Sequence, residues 1–257
     1  MRIGIHIAAA LLISAAFASS ASAEPQSLAQ DAGVELWQGL RLGMSPDEVV
    51  AVLPNIAGVK GGKISDSKGK EPKISVSYAN GQQPGVPVGD LRFQFSPITK
   101  DGKLAQVMLG AADICGASAQ THFDEIADAL NIKYPGMKTV RGDRIDVEAL
   151  LRESARTGQP ANAALMRADK ERAVSIMISV TREDISYVPE YGSGKLMNTM
   201  ARYSNSRNAS RLAECNGRGD ERAAIVISYM GRDYFDQAIA EEAAAENARQ
   251  QALRQGL

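Results

Sequence analysis

An apolar run from Ile3 to Phe17, with Arg2 before it and Ala18-Ser19-Ser20-Ala21-Ser22-Ala23 after it, takes the start of this chain out of any folded core. The run is too short to span a bilayer. Its exit at Ala21-Ser22-Ala23, followed by Glu24-Pro25, has the small-residue spacing of a signal-peptide cleavage site. Residues 1–23 therefore read as a secretory signal peptide, and the expected destination is the periplasm or the medium. No cysteine lies near the cleavage point, so lipid attachment there is not expected. No later segment approaches the length of a membrane span, and no transmembrane anchor is expected in the mature chain.

Cleavage would leave 234 of the 257 residues, enough for one large domain or two small ones. Loss of Arg2 takes the formal charge from −1 to −2. Acidic and basic residues are interspersed, which gives no electrostatic footprint for nucleic acid. The two cysteines, Cys115 and Cys215, would be free thiols in a reducing compartment; in an exported chain they are expected to form a disulfide.

After a small, polar leader (24–35), the clearest local signal is Ser45-Pro46-Asp47-Glu48. Ser45 is placed as an N-cap, Pro46 as N1, and Glu48 completes a capping box; Val49, Val50, Val52 and Leu53 supply an apolar face and Pro54 stops the helix. Lys73–Tyr78 and Leu91–Phe95 alternate polar with apolar residues, as half-buried strands do. Asp101-Gly102 before Leu104–Leu109 is a hairpin signal, because the turn needs positive φ. Thr121 is a candidate cap for a second helix, with Phe123, Ile126, Ala127 and Leu130 on one face and Tyr134-Pro135-Gly136 at its end. A third helix is expected over 144–156. A hairpin should join 163–167 to 173–180, residues 183–222 read as a long polar loop, and 224–229 as a last strand. The tail from 233 has strong helix propensity and few apolar residues.

The fold class is therefore α+β, with helices packed on one face of an antiparallel sheet. The main domain spans 36–232 and the C-terminal polar helix 233–257. The capped helices, starting at Ser45 and Thr121, each precede several strands, so two tandem related halves, 36–112 and 113–232, stand beside the single-domain reading.

Gly39-Leu40-Arg41-Leu42-Gly43-Met44-Ser45-Pro46-Asp47-Glu48-Val49 resembles the opening of small bacterial envelope modules of the SmpA/BamE type and of β-lactamase-inhibitor-like proteins. The resemblance covers about a dozen residues and mostly encodes a capped helix. It implies a short helical start packed on antiparallel sheet, sometimes in tandem, and roles in protein binding rather than catalysis. The absent lipobox cysteine departs from the lipoprotein members.

Candidate chemistry is sparse. His6 leaves with the signal peptide, so His122 is the only histidine of the mature chain, which excludes sites built on two or three histidines. It has no Gly-x-Ser-x-Gly elbow to serve and reads as a solvated or capping residue. Gly192-Ser193-Gly194-Lys195 lacks the first glycine of a phosphate loop, and Leu196 stands where the magnesium-holding hydroxyl would be. Arg141-Gly142-Asp143 and Arg218-Gly219-Asp220 are explained as turns. No catalytic residue, cofactor or metal site is expected. Trp37 reads as core. Tyr187 and Tyr191, in a loop with Pro189 and Gly192, form a candidate binding loop. The expected role is a non-enzymatic interaction protein with a protein or envelope partner; an envelope hydrolase of unrecognised type and a small-ligand carrier are the alternatives.

Mass spectrometry of the exported protein should show an N-terminus at Glu24, and an intact Met1 would contradict the signal peptide. Non-reducing electrophoresis should give a faster monomer band than reducing conditions, and titratable thiols in the native protein would contradict the bridge.

Overall fold

A computed structural model gives the fold, and the structure describes residues 33–65, 71–79, 85–88, 91–181 and 221–255. In chain order the elements are β1 (Glu35–Trp37), β2 (Leu40–Arg41), α1 (Pro46–Val52) with a 3-10 turn over Leu53–Asn55, β3 (Val59–Ser65), β4 (Lys73–Tyr78), β5 (Val86–Val88), β6 (Leu91–Lys100), β7 (Lys103–Cys115), α2 (Gly116–Lys133), β8 (Lys138–Arg141), α3 (Val147–Thr157), β9 (Ala161–Ala168), β10 (Arg172–Thr181), β11 (Arg222–Gly231) and α4 (Arg232–Gln255). The class is α+β. No helix among the described residues is long and apolar enough to cross a membrane.

Seven strands form the main sheet in the order β5-β6-β7-β11-β10-β9-β8, and every pairing in it is antiparallel. β1–β2 and β3–β4 are separate two-stranded ribbons. The central strand β11 pairs Ile225 with Ala111 and Ile227 with Leu109 on one side, and Ile227 with Ile176 on the other. Alternation assigns the two faces. Val107, Leu109, Val174, Ile176, Ile178, Ile225, Ile227 and Tyr229 join one core with Val49 of α1, Phe123, Ile126 and Leu130 of α2 and Leu151 of α3.

The alternate residues face the other way. Met166, Ala168, Ala173 and Met230 pack with Phe235 of α4, which Ile239 extends. This corrects the expectation of helices on one face only: α1, α2 and α3 cover one face, and α4 begins on the opposite one. The reason is local. α4 follows β11 without a loop, and Phe235 and Ile239 are the apolar positions of its first turns. From Ala240 to Arg254 the helix is exposed throughout.

Several local expectations hold. Ser45 Oγ accepts from Glu48 N at 3.3 Å and Ser45 N donates to Glu48 Oε2 at 2.7 Å, so the capping box is complete. Gly43 precedes it with φ of 84°, a conformation that favours glycine, and a Cβ there would meet no atom within 4 Å. Asp101 and Gly102 both take positive φ, 53° and 72°, as the β6–β7 turn requires. Trp37 is buried, its ring centroid 5.1 Å from that of Phe95.

Other details differ. α2 starts at Gly116, with Cys115 at the N-cap position and no side-chain capping hydrogen bond from it. Thr121 therefore lies inside the helix and caps nothing, because β7 turns directly into α2. α3 is capped by Asp146, whose Oδ1 accepts from Ala149 N at 2.9 Å, and it ends at Gly158 with φ of 66°. β1, β2, β3, β5 and β8 gave no strand signal in the sequence.

The backbone N–H of Ser45 and then its hydroxyl hold the Glu48 carboxyl below the ordinary range. That contribution to stability is present at neutral pH and fades as pH falls through the lowered value. Ser45→Ala should cost about 1 kcal/mol, measured by urea unfolding. Gly43→Ala should cost about 1–2 kcal/mol through the left-handed backbone alone. A neutral result for both would contradict the structural reading of this motif.

Candidate functional site

The turn end of the main sheet carries a cleft of about 430 Å³. Three chain crossings build it: the β6–β7 turn, the β9–β10 turn, and the passage from β11 into α4. The segment after β2 closes the fourth side. Val34, Leu42, Leu104, Ala105 and Tyr234 supply apolar lining, while Lys100, Asp101, Lys103, Lys170, Glu171 and Asp233 supply charges of both signs.

Each wall is tied to its neighbour. Leu42 N donates to Val34 O at 2.9 Å, Gly43 N to Leu104 O at 2.9 Å, and Leu104 N to Met44 O at 2.7 Å. These bonds fix the motif segment against the start of β7. Asp169 organises the β9–β10 turn: its Oδ1 accepts from Glu171 N and Arg172 N, both at 2.9 Å, and its Oδ2 lies 3.3 Å from Arg172 Nε. Arg232, the first residue of α4, donates from its backbone N to Glu171 O and from Nη1 to Asp169 O, both at 2.9 Å. Arg232 Nε also meets both oxygens of Asp236, at 2.9 and 2.8 Å. Arg232 is thus committed to structure.

Lys100 bonds Gln237 and sits 5.5 Å above the Tyr234 ring. Lys103 and Lys170 form no ion pair among the described residues and remain at the rim, both exposed. Burial, with Glu241 as a second influence, holds the Tyr234 phenol above its ordinary range, so it stays neutral and offers a hydroxyl rather than a charge. Gly231 leaves room for Leu42, since a Cβ there would lie 2.7 Å from both Leu42 Cδ atoms.

On the α2 side of the same sheet end lies a cluster of rings and cations. Tyr134 and Tyr229 have centroids 6.3 Å apart, Lys133 is 5.4 Å above the Tyr134 ring, and Arg172 is 4.9 Å from it. Burial, then Tyr134, pushes the Tyr229 phenol upward. Arg172 also donates to Glu35 O at 3.2 Å, so this cluster pins β1 and α2 to the turn that walls the cleft.

The sequence-derived site residues fare unevenly. His122 lies within α2, its Nδ1 3.7 Å from Glu125 Oε2 one turn on. Arg141 ends β8 and reaches Glu242 of α4 at 3.1 Å, while Gly142 takes φ of 69° and the chain bends at Asp143, so this Arg-Gly-Asp stretch is where the chain leaves β8. Cys115 ends β7 opposite Arg222. Cys215, Tyr187, Tyr191, Gly192–Lys195 and Arg218–Asp220 lie outside the described residues, as does the signal peptide. No group of three or more metal-ligating side chains occurs among the described residues.

Sequence reasoning missed the cleft, because its parts come from 34–43, 100–105, 170–171 and 231–237, which only the strand order brings together. It also missed the polar atoms of the face opposite α1–α3. Gln106 Nε2, Ser175 Oγ and Ser228 Oγ are buried there beside Met108, Met177 and Val226, with no hydrogen-bond partner among the described residues. The chain matches no protein-family model, no curated protein and no solved structure.

Burial alone would raise the Asp169 carboxyl, but its bonds from Glu171 N, Arg172 N and the Arg172 side chain outweigh it and leave it lowered. The turn is therefore held at neutral pH and loosens as pH falls through that lowered value. Asp169→Ala should destabilise the protein by about 1–2 kcal/mol and abolish this acid dependence, as urea unfolding at several pH values would show. An unchanged pH profile would contradict the role of Asp169 as the organiser of the turn.

Proposed function

We propose that this chain is an exported, non-enzymatic binding protein of the bacterial envelope, and that the sheet-end cleft is where it engages a protein or envelope partner. One observation carries the reading. The cleft combines apolar lining from Val34, Leu42, Leu104 and Ala105 with an exposed rim of both charge signs, the composition of a protein-binding patch with an apolar centre and polar margin. A hydrolase would call for paired groups held near a common reacting centre, and a carrier for an enclosed apolar cavity. The resemblance of Gly39–Val49 to SmpA/BamE-like and β-lactamase-inhibitor-like modules points the same way.

The remaining parts of the reading follow from the sequence. Residues 1–23 direct export, and the mature protein acts in the periplasm or outside the cell. Cys115 and Cys215 form a disulfide. Cys115 stands opposite Arg222 in the ladder, and Cys215 precedes Arg222 by seven residues, so the chain can reach back to close the bridge. The two halves, 36–112 and 113–232, descend from one module. In support, each half runs its strands from a sheet edge inward, β5-β6-β7 from one side and β8-β9-β10-β11 from the other, and the last strands of both meet at the centre. Tyr187 and Tyr191 add a second contact to the partner.

A photo-crosslinking residue at position 103 should capture a discrete partner in the native envelope, and one at exposed Arg152 should not. Lys103→Glu with Lys170→Glu should leave the melting temperature unchanged and weaken capture by about three- to tenfold. Tyr187→Ala with Tyr191→Ala should do the same if the loop binds, and should lower the melting temperature if the tyrosines are core. Equal capture from positions 103 and 152 would contradict the cleft as the site.

A further inference from the structure

The outer edge of β6 is closed by side chains where a neighbouring strand would normally lie. β5 pairs with only the first residues of β6, Phe93 opposite Val86. Beyond them, β4 runs alongside but belongs to the β3–β4 ribbon and forms no backbone ladder with β6 among the described residues. Tyr78 Oη accepts from Phe95 N at 2.8 Å and donates to Phe95 O at 3.2 Å. Thr99 Oγ1 donates to Pro72 O at 2.7 Å, and the Glu71 carboxylate accepts from Asp101 N at 2.8 Å and Gly102 N at 3.2 Å.

The phenol of Tyr78 thus occupies both hydrogen-bonding groups of one residue, as a paired strand would. In an antiparallel strand the backbone groups of alternate residues point to the same side. Phe93 faces β5 and Phe95 faces Tyr78, so residue 97 also points outward. That residue is Pro97, which has no N–H to offer. Opposite it, on the inner side, Pro97 lies across from Val107 without breaking the β6–β7 register. A proline at this position removes a donor only from the edge, where natural sheets tolerate it and use it against unwanted pairing.

We propose that Tyr78 and Pro97 together guard the outer edge of β6, and that the partner they exclude is a second copy of this chain pairing edge to edge. The two devices differ in kind. Tyr78 satisfies the groups that exist at Phe95, whereas Pro97 deletes the next donor along. An isologous pair of β6 edges would need both outward positions at once, since each copy presents residues 95 and 97 to the other in opposite directions. Tyr78 is also half-buried against the main core, which holds its hydroxyl in place.

The test uses the full mature chain. Amide exchange at Phe95 should accelerate about tenfold in Tyr78→Phe, which keeps the ring and loses both hydroxyl bonds. Sedimentation velocity over a concentration series should then show a monomeric wild type and a dimerising Tyr78→Phe, Pro97→Val double variant. Should Pro97→Val prevent folding, Tyr78→Phe with Pro97→Ala, which also restores the N–H, replaces it and is read in the same way. Unchanged exchange at Phe95 in Tyr78→Phe, or a double variant as monomeric as the wild type, would overturn the proposal.

Discussion

Everything else in this molecule leans on the antiparallel pairing of β7 with β11. β11 is buried at all ten positions, with Ile225, Ile227 and Tyr229 toward α2 and Ala224, Val226, Ser228 and Met230 toward the opposite face. A strand covered on both faces must be apolar or small throughout. After the buried Arg222 at its start, its sequence, Ala223-Ala224-Ile225-Val226-Ile227-Ser228-Tyr229-Met230-Gly231, comes close to that demand, with only Ser228 and the Tyr229 hydroxyl polar. Each fully buried Ile or Val is worth about 1.5–3 kcal/mol of transfer free energy, so this one strand concentrates much of the hydrophobic drive. Its neighbours β7 and β10 are nearly as buried, and the helices pack where those three strands present their branched side chains.

The position of the cleft follows from that arrangement. With β7, β11 and β10 adjacent, the β6–β7 turn, the β9–β10 turn and the start of α4 emerge together at one end of the sheet. Short polar bonds then lock them: Asp169 within its own turn, Arg232 across from α4, and Leu104 to the segment carrying the Gly43-Met44-Ser45 motif. The motif is therefore structural twice over, as a helix start and as one wall of the cleft. Its charged rim stays exposed because Lys103, Lys170 and Glu171 lie at turn tips, where the chain has no core to bury them.

What could be read from the sequence was whatever a few neighbouring residues decide among themselves. The capping box of Ser45 and Glu48, the Asp101-Gly102 turn and the apolar run of β11 all belong to this kind. The sequence misplaces the start of α2 because Thr121 imitates a cap, whereas the true start at Gly116 has no side-chain capping bond and is set by the end of β7. β8, Lys138-Thr139-Val140-Arg141, is exposed at every position and carries no alternation to announce a strand; pairing with β9 makes it one. The side of the sheet taken by α4 was likewise invisible, since it depends on which alternation of β9, β10 and β11 meets Phe235. The cleft draws on four separated segments and could not be read before the strand order was known.

Native-state hydrogen exchange tests the centrality of the β7–β11 pair most directly. If both halves of the chain fold as one unit around it, the amides of Leu109 and Ile227 should exchange only through global unfolding, with the same free energy as those of Ile176 and Ile178. Exchange of the β6–β7 segment at a distinctly lower free energy than β9, β10 and β11 would show that the halves open separately, and would contradict a single fold built on that pair.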